Sequence, residues 1–171
     1  MSQTDGRRVM RTDTALMCGM RLIGWSASSR DRRRETLDPL LYGSFMHLFV
    51  RLRERFKVTI VPGVASICGA WGAAKSPMTW GDDSMVVLPA TLPLEELIRR
   101  LALADAAVVM KIGRNFARAR EALAAAGMAE RAIYVERATM TGEAVMPLKD
   151  KPDGATPYFS MILVPGRGRR P

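Results

Sequence analysis

Between residues 38 and 164, short apolar runs alternate with segments of helical period, and three of the runs end abruptly in polar or glycine-bearing residues. Lys57-Val58-Thr59-Ile60 gives way to Val61-Pro62-Gly63-Val64-Ala65-Ser66. The run over 106–109 gives way to Met110-Lys111-Ile112-Gly113-Arg114-Asn115, and Ile133-Tyr134-Val135 to Glu136-Arg137-Ala138-Thr139. Short apolar runs bounded by turn residues read as buried strands. Strands are predicted over 57–61, 84–88, 106–110, 132–137 and 158–164, the last preceded by the turn Asp153-Gly154.

Helices fill the gaps. Asp38 as cap, Pro39 in the first turn and Leu41, Phe45, Leu48, Phe49 and Leu52 at helical spacing predict a helix ending near Phe56. Ser66 is read as the cap of a second helix through Ile67, Ala70 and Ala73, with Pro77 at its exit. A third opens at Thr91-Leu92-Pro93 and runs through Leu101. A fourth covers 115–126, with Gly127 where a left-handed helix end belongs. The order helix, β, α, β, α, β, α, β, β implies an α/β fold, its sheet mostly parallel or mixed, with helices on both faces. In open α/β sheets ligands bind outside the carboxyl ends of the strands, so the three run-ending loops are candidate ligand loops.

Residues 1–37 break this pattern. Thr14 to Ile23 fits either one strand or a short helix, and the polar, arginine-rich stretch 26–34 has nothing to bury. A basic, poorly ordered segment is expected over 1–37 and a basic tail over 167–171. The net charge of +9 suggests nucleic acid, but its distribution argues otherwise. Residues 1–37 hold a net +4 and the tail +3, leaving +2 for the rest. Affinity for nucleic acid would be of the nonspecific phosphate kind, so no specific nucleic-acid partner is expected. No apolar run reaches the roughly 18 residues of a membrane helix, and the arginine-flanked N-terminus does not read as a signal peptide. Cys18 and Cys68 form neither a disulfide framework nor a zinc set. A cytoplasmic protein with no metal is expected. No Gly-x-Gly-x-x-Gly follows any strand, which sets aside a Rossmann-type nucleotide site.

Six segments occur in order: Tyr42-Gly43-Ser44-Phe45, Val61-Pro62-Gly63-Val64, Leu88-Pro89-Ala90-Thr91, Met110-Lys111-Ile112-Gly113-Arg114, Tyr134-Val135-Glu136-Arg137-Ala138-Thr139 and Tyr158-Phe159-Ser160-Met161-Ile162. Together they resemble the S-adenosylmethionine-dependent tetrapyrrole methylases of cobalamin biosynthesis, over roughly residues 38–166. The resemblance implies two α/β domains with the methyl donor in the cleft between them, and methylation of precorrin-2 or its cobalt form at carbon 20. It also implies a homodimer. The family's opening Gly-x-Gly-Pro-Gly loop has no counterpart here. Residues 38–61 are therefore expected to be the end of the N-terminal domain, and 62–166 a mostly complete C-terminal domain. A catalytically impaired, truncated methylase is the alternative expectation. Where the family has Gly-Asp-Pro, this chain has Leu37-Asp38-Pro39, and leucine resists the backbone angles that glycine allows.

Carried over residue by residue, the resemblance places donor contacts at Leu37, Asp38, Leu41, Ala65, Ser66, Met110 and Ala138. Each also has an ordinary structural reading: Ala65 and Ser66 begin a helix, and Met110 is core. Precorrin-2 is rich in carboxylates, and Lys111, Arg114 and Arg137 at strand ends are the candidate substrate-binding cations. Arg137 alternatively pairs with the neighbouring Glu136, and Lys111 is alternatively only solvated. Methyl transfer from a sulfonium requires alignment rather than a nucleophilic residue or a metal, and no catalytic residue is singled out. Either Glu136 or Tyr42 is a candidate proton relay. His47, the one histidine, reads as a packing or surface residue.

Overall fold

A computed structural model describes residues 38–56, 58, 60 and 62–168. Its helices are α1 (Phe45–Leu52), α2 (Ser66–Ala74), α3 (Leu94–Leu101) and α4 (Phe116–Ala125). Its strands are β1 (Met85–Pro89), β2 (Ala106–Met110), β3 (Ile133–Glu136), β4 (Ala144–Pro147) and β5 (Ser160–Val164). The five strands form one mixed sheet in the order β1-β2-β5-β3-β4. β1 and β2 are parallel, and β5 runs antiparallel to both β2 and β3. β1, β2 and β3 therefore point the same way, and their carboxyl ends, Pro89, Met110 and Glu136, share one edge of the sheet.

The helices cover both faces, as the alternation predicts. On one face Leu97 and Leu101 of α3 and Phe116, Ala119, Ala122 and Leu123 of α4 bury against Leu88, Ala107, Val109, Tyr134, Ile162 and Val164. On the other, Ile67, Ala70 and Trp71 of α2 pack on Val108, Val135, Met161 and Leu163. β2 and β5 send alternate residues to the two clusters, which is why both strands read as unbroken apolar runs. Each fully buried Leu side chain contributes about 1.5–3 kcal/mol relative to exposure. Gly127 ends α4 as expected: at φ +66 it takes the left-handed form, and the Met128 N–H reaches back to the Leu123 carbonyl at 2.8 Å.

Several expectations need correction. The first helix is shorter than the 38–56 reading and starts at Phe45. Asp38 does not cap it; its Oδ1 accepts the Leu40 N–H at 2.9 Å, closing a local turn, and Tyr42 at φ +54 breaks the helical path. Of the strand expected over 57–61, residues 57, 59 and 61 lie outside the described residues, and Val58 and Ile60 belong to no strand. The first candidate loop thus follows no described strand, and β1 supplies the third strand end instead. Ser66 is the first residue of α2 rather than its cap; Ala65 holds the cap position, with no side-chain bond there. β5 begins at Ser160, two residues later than expected. β4, absent from the sequence reading, pairs with β3 as an edge strand. The expectations for residues 1–37 lie outside the described residues, as do those for 169–171.

Candidate functional site

Three chain segments leave the sheet at the carboxyl edge. After β1, the Ala90 N–H donates to the Met110 carbonyl at 2.7 Å, tying the first exit to the second. After β2, Lys111 turns at φ +56 into a short 3-10 turn over Gly113–Asn115. After β3, Arg137 turns at φ +47, its N–H held by the Phe159 carbonyl at 2.7 Å, and Thr139 sits at φ +63. Five non-glycine residues have left-handed φ among the described residues: Tyr42, Lys75, Lys111, Arg137 and Thr139. Three of the five lie in these exits. Such conformations cost about 1–3 kcal/mol each and gather where a site requires them.

α2 aims its start at the same edge. Met78, just beyond the end of α2, accepts the Gly166 N–H at 3.1 Å, and Gly166 follows the carboxyl end of β5, which lies at the opposite edge. Ala65 and Ser66 thus belong to the carboxyl side. Leu41, Ala65, Met110 and Ala138, four of the seven expected donor contacts, all pack half-buried against the α2-side cluster. Ser66 is half-buried beside Ala65. Asp38 is half-buried and its carboxylate is engaged by the Leu40 N–H. Leu37 lies outside the described residues. The four gathered side chains are small or flexible and apolar, which suits an adenosyl group approaching main chain. Val64, next to Ala65 in the chain, is 55% exposed.

The three expected cations rim this edge, and all are exposed. Lys111 is not merely solvated: its Nζ lies 5.3 Å from the centre of the Tyr42 ring. The Tyr42 hydroxyl in turn reaches the Val87 carbonyl at 3.5 Å. Arg114 lies in the 3-10 turn. Arg137 does pair with Glu136, Nη1 to Oε1 at 3.0 Å. Glu136 Oε2 accepts the Tyr134 hydroxyl at 2.7 Å. Burial pushes the Tyr134 phenol well above its usual range, and the bond to Glu136 adds to that, so the hydroxyl stays protonated and donates.

Sequence reasoning missed two parts of this arrangement. Tyr134 read only as strand, although a tyrosine two residues before a glutamate on one strand places both on one face. The Tyr42–Lys111 contact joins residues with no local signal to connect them. A separate surface hollow of about 240 Å³, lined in part by Leu101, Ala126, Met128, Arg131 and Arg167, lies away from these residues. Arg131 is occupied there, donating to the Pro165 and Asp105 carbonyls at 3.0 Å each.

A sequence model of the Tetrapyrrole (Corrin/Porphyrin) Methylases matches residues 38–151, which includes every exit described above. The chain belongs to the tetrapyrrole methylase family. It is 52% identical over 134 residues to a precorrin-2 C(20)-methyltransferase of Sinorhizobium sp, a match over 78% of this chain and 55% of that protein. It is 51% identical over 133 residues to the cobalamin biosynthesis protein CobIJ of Mycobacterium tuberculosis, covering 78% of this chain and 26% of that one. The chain thus spans about half the length of the first relative and a quarter of the second. Among solved structures, the cobalt precorrin-4 methyltransferase CbiF superposes with a TM-score of 0.60 at 24% identity, over 75% of this chain and 60% of that one. That likeness supports the α/β fold. No helix among the described residues is long and apolar enough to cross a membrane.

Proposed function

We propose that this chain is the donor-binding part of an S-adenosylmethionine-dependent methyltransferase of corrin synthesis, acting on precorrin-2 or its cobalt form at carbon 20. The observation that carries the reading is the shared edge: an apolar strip of Leu41, Ala65, Met110 and Ala138 lies on the side of the sheet from which Lys111 and Arg137 extend. An adenosyl donor needs the first and a carboxylate-rich acceptor the second. The Sinorhizobium relative's name gives precorrin-2 as its substrate and methyl transfer as its reaction. In this reading residues 38–61 end the first of two domains, 62–166 form the second, and 1–37 and 167–171 lie outside both. The proposed assembly is a homodimer and the proposed compartment the cytoplasm.

The donor, when bound, supplies a methyl group activated on a sulfonium. The work left to the protein is alignment and exclusion of water. Leu41, Met110 and Ala138 offer the adenosyl portion apolar contact, and the small side chains at 65, 66 and 138 leave main-chain groups accessible. Asp38 and Leu37 belong to the same proposed donor loop. Lys111, Arg114 and Arg137 bind and orient substrate carboxylates.

A second reading, a catalytically impaired half-cleft, is favoured by one observation. α1 is amphipathic, with Phe45 and Phe49 stacked at 6.2 Å, yet none of its residues is fully buried. A face of that kind fits a domain surface awaiting a neighbour. Calorimetric titration with S-adenosylhomocysteine tests both. Saturable one-to-one binding that is lost in Met110→Arg supports the donor site. No binding by a folded chain sinks it and leaves the impaired reading.

A further inference from the structure

Arg137 is held more firmly than an exposed arginine ordinarily is. Its Nη1 donates to Glu136 Oε1 at 3.0 Å, and the other oxygen of that carboxylate accepts the Tyr134 hydroxyl at 2.7 Å. Both carboxylate oxygens are thereby fixed. The tyrosine cannot yield: it is fully buried, Phe116 meets its ring edge-on at 5.9 Å, and the Lys151 ammonium lies 5.2 Å from its ring centre. Arg137 itself is fixed at its N–H by Phe159, and its side chain runs beside Gly142, where an added Cβ would lie 3.6 Å from Arg137 Cδ. A chain of contacts leads from the core to a guanidinium with 44% of its side chain exposed, while the Glu136 side chain is only 17% exposed.

We propose that Glu136 is a positioning residue that aims the Arg137 guanidinium at a carboxylate of the tetrapyrrole, a role that rests on the methylase reading above. Among the described residues only Nη1 of the guanidinium has a partner, which leaves the remaining N–H groups for a bidentate carboxylate. A surface ion pair by itself contributes about 0–1 kcal/mol; Tyr134 is fixed by its core packing, so its hydroxyl gives the Glu136 carboxylate a rigid anchor that most surface ion pairs lack. Such an anchor preorganises the arginine: a long side chain already ordered loses less entropy when it binds. Glu136 neutralises part of the arginine's charge, yet it engages a single nitrogen, so the fork stays directional.

The test uses the full chain, with uroporphyrin III as a carboxylate-rich tetrapyrrole probe and S-adenosylhomocysteine as a control ligand. Arg137→Ala and Glu136→Gln should each weaken probe binding about tenfold, the loss of one charge-assisted contact. Glu136→Gln should have no further effect in the Arg137→Ala background, and Tyr134→Phe should reproduce part of the Glu136→Gln effect. S-adenosylhomocysteine affinity should be unchanged throughout. If Glu136→Gln weakens the probe equally with or without Arg137, or lowers the affinity of both ligands together, the role is structural and the proposal is overturned. Probe binding that responds to Arg137→Ala but ignores Glu136→Gln overturns the proposal alone. A chain that binds S-adenosylhomocysteine but no tetrapyrrole overturns the substrate reading, and this role with it.

Discussion

Asp83 shows how tightly one side chain can dictate another position. Its carboxylate accepts the Trp80 N–H at 3.0 Å and the Gly168 N–H at 3.4 Å, joining the turn before β1 to the segment after β5. A Cβ placed on Gly166 would lie 2.1 Å from Asp83 Oδ2 and 3.0 Å from its Cγ. Gly166→Ala must therefore displace the carboxylate and both of its bonds, and should destabilise by about 1–3 kcal/mol in urea unfolding. In an Asp83→Ala background the same change should have much less effect, because the clash is gone. Glu96 makes a different kind of statement. Hydrogen bonds from Arg99 and then Arg100 hold its carboxyl at about 2, below the ordinary 4.5. A depressed folded value means the stabilisation is fully present above pH 4.5 and is lost as pH falls through about 2. The effect is small for so exposed a group. Glu96→Gln should flatten the acid limb of a stability-against-pH curve and leave neutral pH nearly unchanged.

Among the elements, α1 and α4 are the extremes. α4 fully buries Phe116, Ala119, Ala122 and Leu123, whereas α1 fully buries no residue and leaves Phe45, Met46, Phe49 and Leu52 half-buried. Amide exchange should therefore be at least about a hundredfold faster in α1 than in the middle of α4, since local opening of α1 exposes little apolar surface. Equal protection would mean that α1 is covered in solution. The same contrast explains what the sequence made legible. β1, β2 and β5 are apolar because they face covered surfaces, so their residues announced them; so did the alanine-rich α4 and its Gly127 end. β4 was silent: Ala144-Val145-Met146-Pro147 is short, ends in proline and lies at an edge, so only one neighbour and one half-covered face shaped it. Val58 and Ile60 failed in the opposite sense. Both are β-branched, and strand propensity is a weak guide without its packing context; neither is assigned to a strand among the described residues. At the candidate site, resemblance named individual residues of this edge as expectations, whereas nothing in the sequence pointed to the Tyr134–Glu136–Arg137 chain, because it depends on a buried hydroxyl meeting a rim carboxylate.

At the scale of the whole molecule, the carboxyl edge of the sheet carries both an apolar group and a charged one. The strip formed by Leu41, Ala65, Met110 and Ala138 carries no charge, whereas Lys111, Arg114 and Arg137 on the same edge do. Salt should separate the two. Screening lengths fall from about 10 Å at 0.1 M to about 3 Å at 1 M, so exposed cations lose most of their reach over that range. Uroporphyrin III affinity should drop markedly as salt rises, and S-adenosylhomocysteine affinity should change little, because its proposed contacts are apolar and main-chain. The net charge of +9 would give any anionic tetrapyrrole some nonspecific salt dependence. Lys111→Ala distinguishes the two sources: removing one cation from the rim should reduce the salt slope of the tetrapyrrole, whereas replacing Arg167, remote from that edge in the hollow with Arg131, should not. If both replacements reduce the slope equally, the attraction belongs to the protein's overall charge and the rim has no special claim on the substrate.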